Sequence, residues 1–243
     1  MPRERAVARL LAVFVGTALL VAVVVGSGIA AEQLSPRDVG LQLLANSTAT
    51  VFGLGVLILV FGPISGAHFN PVVSFADWLT GRRDGIGLTL RDATAYALAQ
   101  TLGAIAGAIL ANVMFDLAAA QVSTHHRITA GHLVGEVVAT AGLIAVIFAL
   151  ARSGRAAMSA ATVAAWIGAA YWFTSSTSFA NPAVTIGRAF TDTFAGIAPA
   201  SVPGFIAAQI AGALLGLGLI ALIYPRSVAA DSAVVAHPAD HIA

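Results

Sequence analysis

The chain contains no cysteine and no lysine, and only 9% of its 243 residues are charged. The first absence removes disulfides, thiolate nucleophiles and cysteine-built metal sites. A soluble domain carries about a quarter charged residues, so the scarcity of charge points to lipid rather than water as the solvent. The basic residues are all arginine, the net charge is only +1, and no polybasic stripe with interleaved aromatics exists. Nucleic acid is therefore not an expected partner. The apolar stretches hold no paired carboxylates, no His-rich metal motif and no nucleophile beside a base. Neither an enzyme nor a metal or other cofactor is expected.

What is present is apolar: 58% of the residues are hydrophobic and the mean hydropathy is +0.90. The first uncharged run covers 10–31, too long for a signal-peptide core of about 7–15 residues and right for a span of about 20. Ala30-Ala31 resembles a cleavage site, but this helix has a counterpart later in the chain, which favours retention. Further runs at 39–61, 93–115, 131–151, 156–174 and 203–224 are each able to cross about 30 Å of hydrocarbon. Six spans follow, with Glu136 the one charge inside them. Two shorter stretches, 70–79 and 181–190, cannot span. Nine arginines fall on the side of the N-terminus (Arg3, Arg5, Arg9, Arg82, Arg83, Arg91, Arg152, Arg155, Arg226), against Arg37, Arg127 and Arg188 on the other. The positive-inside rule then predicts a multi-pass protein of the cell membrane with both termini cytoplasmic. The tail 225–243 is expected to be disordered.

The two halves, about 8–115 and 131–224, match at corresponding places. Asn70-Pro71-Val72-Val73-Ser74 parallels Asn181-Pro182-Ala183-Val184-Thr185, and Ala99-Gln100 with Gly103 and Gly107 parallels Ala208-Gln209 with Gly212 and Gly216. Thr17 pairs with Thr140 in the same way. Three spans per half is an odd number, so the second half enters the membrane upside down. The whole reads as one transmembrane channel domain over 1–243.

Proline suits the first position of a helix and asparagine the cap before it. Asn70-Pro71 and Asn181-Pro182 thus each start a short helix that must be buried in protein or line a water-filled path. Inversion brings the two starts face to face near the midplane, where asparagine N–H groups meet a passing solute. A neutral hydroxylated molecule accepts from both, whereas a cation meets positive helix ends and a desolvation barrier. Secondary transporters and anion channels share this plan, but coupled transport needs titratable groups in the spans and only Glu136 qualifies.

Over roughly residues 8 to 224 the chain resembles the aquaporin (major intrinsic protein) family. The likeness rests on Ser65-Gly66-Ala67-His68-Phe69-Asn70-Pro71-Val72, on Ser178-Phe179-Ala180-Asn181-Pro182-Ala183, on the paired Ala-Gln-Gly helices and on Glu136 with Thr140. It implies an all-α fold of six transmembrane helices plus two re-entrant half-helices in an inverted 3+3 repeat, a pore in each subunit, and a homotetramer in the lipid bilayer. It also implies facilitated diffusion of water or small neutral solutes.

Three departures bear on the solute. The first triplet is Asn-Pro-Val, which puts the bulkier Val72 beside the constriction. The family's first-helix glutamate falls at Val13. The arginine that follows the second triplet in the family is Val184 here. In the family that arginine, an aromatic on the second span and often a histidine on the fifth form a narrow outer filter. Those places fall near Thr50 and at Ala169 or Ala170, with Ser178 counted among the filter residues. The implied filter is wide and uncharged, with proton exclusion weakened but retained through the half-helix dipoles. The residues around Val184 also resemble a bacterial branch associated with arsenic. That likeness implies arsenite or methylated arsenicals as cargo, with glycerol or urea alongside. A water or glycerol channel without a metalloid role is the alternative.

Glu136 is expected to accept hydrogen bonds from the second pore loop, or else to be a protonated structural glutamate near the interface. His68 either lines the vestibule through its carbonyl or packs internally. Arg188, one turn beyond Val184, is expected to be exposed, a mouth-facing position being the alternative. Asp116, His125, His126 and His132 fall on a solvated loop, and Trp78, Trp166 and Trp172 read as interface anchors.

Overall fold

A computed structural model describes residues 3–82 and 85–224. Arg83, Arg226 and the tail 225–243 lie outside the described residues. Eight α-helices follow in order: α1 Arg3–Leu34, α2 Val39–Ser65, α3 Pro71–Gly81, α4 Leu90–Met114, α5 Ala130–Arg152, α6 Ser159–Phe173, α7 Pro182–Gly187 and α8 Val202–Ile223. Six of the described segments are long and apolar enough to cross a membrane, and α3 and α7 are not. The first span begins seven residues earlier than the uncharged run, because Arg9 is buried against Tyr96 and its Nε donates to the Tyr96 hydroxyl at 2.8 Å. The fifth is shorter than its apolar stretch: a 3-10 turn at Ala156–Met158 precedes α6.

The repeat is visible in the packing. α1 lies along α4, and α5 lies along α8 in the same manner. Both crossings are glycine-mediated. A Cβ on Gly103 or Gly107 would fall on the carbonyl oxygens of Phe14 and Ala18, and one on Gly212 or Gly216 on those of Val137 and Ala141. Backbones this close allow dispersion contact along the whole crossing, which drives helix association where lipid removes the hydrophobic incentive.

Each half-helix is reached by a loop that doubles back into the bundle. α2 ends on Gly66, whose φ of 77° places it in the left-handed region that terminates helices. Pro63, inside the last turn, donates no hydrogen bond to the turn before it. Trp166, expected at an interface, instead donates from its indole N–H to the Ala139 carbonyl between α5 and α6 at 3.0 Å.

Candidate functional site

Asn70 and Asn181 cap α3 and α7 in the same geometry. The Asn70 side-chain oxygen accepts from Val72 N at 3.1 Å, and the Asn181 oxygen accepts from Ala183 N at 3.0 Å and Val184 N at 3.3 Å. Pro71 and Pro182 occupy the first helical position in each. The amides then cross over: Asn70 Nδ2 donates to the Ala180 carbonyl and Asn181 Nδ2 to the Phe69 carbonyl, both at 2.7 Å. Each amide nitrogen has two hydrogens, so one N–H per asparagine is left over after this reciprocal pinning. Both asparagines line a single cavity of about 130 Å³. At a liquid volume of about 30 Å³ per water, it holds a solute of several heavy atoms.

The rest of the wall is mostly aliphatic, with Leu20, Val24, Leu54, Leu143 and Val163 among its members. Val73 lines it, whereas Val72 is buried beside it and Ala183 is fully buried. The bulk of the first-triplet valine is therefore taken up in the core, not in the path.

The loops that carry the asparagines are held from behind. In the second, Thr177, Ser178 and Ala180 all adopt positive φ, a conformation that costs non-glycine residues about 1–3 kcal/mol each. Glu136, fully buried on α5, accepts from Phe179 N at 2.9 Å, Ala180 N at 2.8 Å and Gln209 Nε2 at 2.6 Å. In the first loop, Ala67 is the one non-glycine residue with positive φ. Gln100 on α4 supports it, donating to the His68 carbonyl at 2.6 Å and to Ser74 Oγ at 2.9 Å. The less strained loop manages with an apolar Val13 where its counterpart has a carboxylate. His68 is buried, lines the cavity, and has Nδ1 3.3 Å from Ser74 Oγ.

Beyond Asn181 the structure differs from expectation. Thr50 and Val184 line the cavity, but Ala169 is exposed on the far side of α6, and Ala170 is buried without reaching the cavity. The stripe that α6 turns inward is Ser159, Val163, Ile167 and Tyr171, at a spacing of four. Tyr171 brings a hydroxyl 3.2 Å from Thr50 Oγ1, so this end of the path is not built of small residues alone. Ser178 also lines the cavity; it is 3% exposed and its hydroxyl has no protein partner.

The expectation of an exposed Arg188 is overturned. Arg188 is 3% exposed and lines the cavity. Its Nε donates to the Ala195 carbonyl, and its guanidinium carbon lies 3.4 Å from the centre of the Phe179 ring. The ring is steadied by Phe205 at 5.1 Å and by Arg127, 5.4 Å from it. Segment 191–198 folds back under the arginine and supplies the carbonyl, an event that no local pattern in the sequence announces. Arg127 ties the neighbouring loop to the same segment, donating to Gly196 O at 2.7 Å and Phe194 O at 2.9 Å. Asp192 accepts from Thr124 N at 2.7 Å, and the backbone and hydroxyl hydrogen bonds from Thr124 hold its carboxyl below the ordinary range. His125 Nε2 stands 3.8 Å from Asp192, and Asp116 is exposed away from the cavity.

These features agree with what comparison to known proteins finds. The model of the family described as major intrinsic protein matches residues 2–177. The chain is 50% identical over 212 residues to the aquaglyceroporin AqpS of Rhizobium meliloti (strain 1021), covering 87% of this chain and 88% of that protein. It is 30% identical over 128 residues to the propanediol uptake facilitator PduF of Citrobacter freundii, spanning 52% of this chain and 44% of that protein. The fold matches the crystal structure of the aquaglyceroporin from Plasmodium falciparum with TM-score 0.64 at 21% identity, over 90% of this chain and 96% of that one. With six membrane-crossing helices, two half-helices meeting at one cavity and a matching family model, the chain belongs to the major intrinsic protein family, and it is a membrane channel for small neutral solutes, not an enzyme.

Proposed function

We propose that this channel passes small neutral hydroxylated solutes of the glycerol class, and with them neutral metalloid hydroxides such as arsenous acid and methylated arsenicals. The observation that carries this reading is the pair of asparagine amides pinned across one cavity, each with an N–H to spare, in an otherwise aliphatic wall. A solute with a hydroxylated edge and no charge replaces its water partners there and leaves no ion desolvated. Val184 supports passage of solutes broader than water, since an isopropyl group stands where a long side chain would cross the path. Arsenous acid is neutral at neutral pH and presents hydroxyls much as a polyol does. The relatives named for glycerol and propanediol support the polyol part.

The α7 end of the path is the outer one, and both termini are cytoplasmic in the plasma membrane; the arginine asymmetry of the sequence supports this. The exposed apolar faces, Leu11, Phe52, Leu102 and Leu214 among them, meet lipid and the other protomers of a homotetramer. The test is stopped-flow light scattering on proteoliposomes under gradients of glycerol, urea and arsenous acid. Entry of glycerol and arsenous acid well above empty liposomes is the expected result. Glycerol entry without arsenous acid entry, and cellular arsenic uptake unchanged by expression, would leave a water and glycerol channel without a metalloid role.

A further inference from the structure

We infer that the corner where α5 ends beside α8, and a 3-10 turn leads on into α6, binds the phosphate of an anionic phospholipid. Arg155 is its cation, and the exposed apolar side chains of α8 and the turn carry the acyl chains. The inference is independent of the solute and needs only that the chain spans a membrane.

This corner holds positive charge with no acid to answer it. From 137 to 224 the sequence contains a single carboxylate, Asp192, which lies at the opposite end of the bundle beside Thr124. No described carboxylate stands within ion-pair distance of Arg155. The other exposed arginines of this end are placed differently. Arg5 follows Glu4, Arg91 precedes Asp92, and the Arg82 guanidinium lies over the Trp78 ring at 5.5 Å.

Arg155 is also held in place. Gly154 adopts a φ of 70°, and the turn closes with Ser153 N donating to Ala149 O at 3.0 Å, Gly154 N to Ala151 O at 3.1 Å and Arg155 N to Leu150 O at 2.8 Å. Arg155 Nε donates to Ser153 Oγ at 3.0 Å, which leaves the exposed Nη edge to make paired hydrogen bonds to a phosphate. Arg152 Nη1 donates to the carbonyls of Ile220 and Tyr224 at 3.1 and 2.7 Å and ties the end of α5 to that of α8. Each helix end carries about half a negative charge, so two ends against two guanidinium groups leave roughly one positive charge uncancelled.

The apolar side of the corner fits the rest of a lipid. Leu222 is 85% exposed, and Leu219, Ile223 and Met158 are exposed at the same end. A phosphate on Arg155 lays its acyl chains along these side chains. An anionic headgroup is favoured over a zwitterionic one, which brings its own cation to a site already positive.

The experiment follows thermal unfolding of the full chain in neutral detergent, as wild type, Arg155→Gln, Arg155→Glu and Arg91→Gln, titrated with phosphatidylglycerol or phosphatidylcholine. Wild type is expected to show saturable stabilisation by phosphatidylglycerol and little by phosphatidylcholine. Arg155→Gln weakens the apparent affinity for phosphatidylglycerol roughly fivefold, about what one arginine at a charged surface contributes. Arg155→Glu weakens it further, and Arg91→Gln leaves it unchanged. Equal affinity in wild type and Arg155→Gln, or an equal loss in Arg91→Gln, overturns the site, since the arginines then act only as general surface charge. Stabilisation of wild type by glycerol phosphate contradicts a lipid occupant and assigns the corner to a soluble phosphate. A smaller oligomer for Arg155→Gln on size-exclusion chromatography, with no phosphatidylglycerol dependence in wild type, overturns it in favour of a neighbouring copy of the chain.

Discussion

At the scale of single residues, the channel spends its polar groups sparingly. Glu136 is the clearest case, since two backbone N–H groups and one amide converge on a carboxylate that nothing nearby can replace. Glu136→Gln turns an acceptor-only group into one that presents N–H to N–H, leaving at least one buried donor unpaired at about 1–3 kcal/mol. A lower midpoint in thermal unfolding followed by size-exclusion chromatography, with reduced glycerol flux, is the expected outcome. Glu136, Asn70 and Asn181 were legible in the sequence because each announces itself locally, as a charge in an apolar run or a cap before a proline. Tyr171 was not, because counting a fixed distance back from Asn181 lands on Ala169, on the outward face of α6. The Val163, Ile167 and Tyr171 stripe, at a spacing of four, was the available signal. Arg188 had no such signal: its orientation depends on the Ala195 carbonyl, brought under it by a turn seven residues on.

At the scale of elements, the two long-helix crossings carry the repeat, and they do so through glycines that can be told apart from ordinary ones. On α8, Gly216 meets the Ala141 carbonyl, whereas a Cβ on Gly218 would find no heavy atom within 4 Å. Gly216→Ala should therefore lower thermal stability in detergent by several degrees and Gly218→Ala should leave it unchanged or raise it; equal effects would contradict the close-crossing account. The loop 115–129 is the second element with a definite expectation. Because Asp192 is held below its ordinary pKa in the fold, its contacts to Thr124 contribute above the unfolded value and are lost as pH falls through the lower folded one. Protection of the amides in this loop, with the intrinsic pH dependence of exchange divided out, should be the same at pH 5 and pH 8 and be lost only in strongly acidic solution. Loss of protection between pH 8 and pH 5 would contradict this. The repeat and its inversion were legible because motif spacing survives in sequence; the folding of this loop onto segment 191–198 is a matter of long-range hydrogen bonds and was not.

At the scale of the whole molecule, inversion is what makes one path out of two halves. Neither half-helix can be stable alone at membrane depth. Each asparagine amide bonds a carbonyl of the opposite loop, so the cavity exists only when both halves are in place. The outcome is a wall that offers a few fixed donors to neutral solutes and carries its buried positive charge at Arg188, one turn past Val184. The width at Val184 is the central claim, and the measurement that tests it most directly is stopped-flow light scattering on proteoliposomes of wild type and Val184→Arg, with water, glycerol and arsenous acid as solutes. The account predicts that wild type admits all three and that Val184→Arg cuts glycerol and arsenous acid entry by roughly tenfold or more while water still passes, as a guanidinium crossing the path implies. Wild-type passage of water alone, or polyol entry unaffected in Val184→Arg, would contradict it.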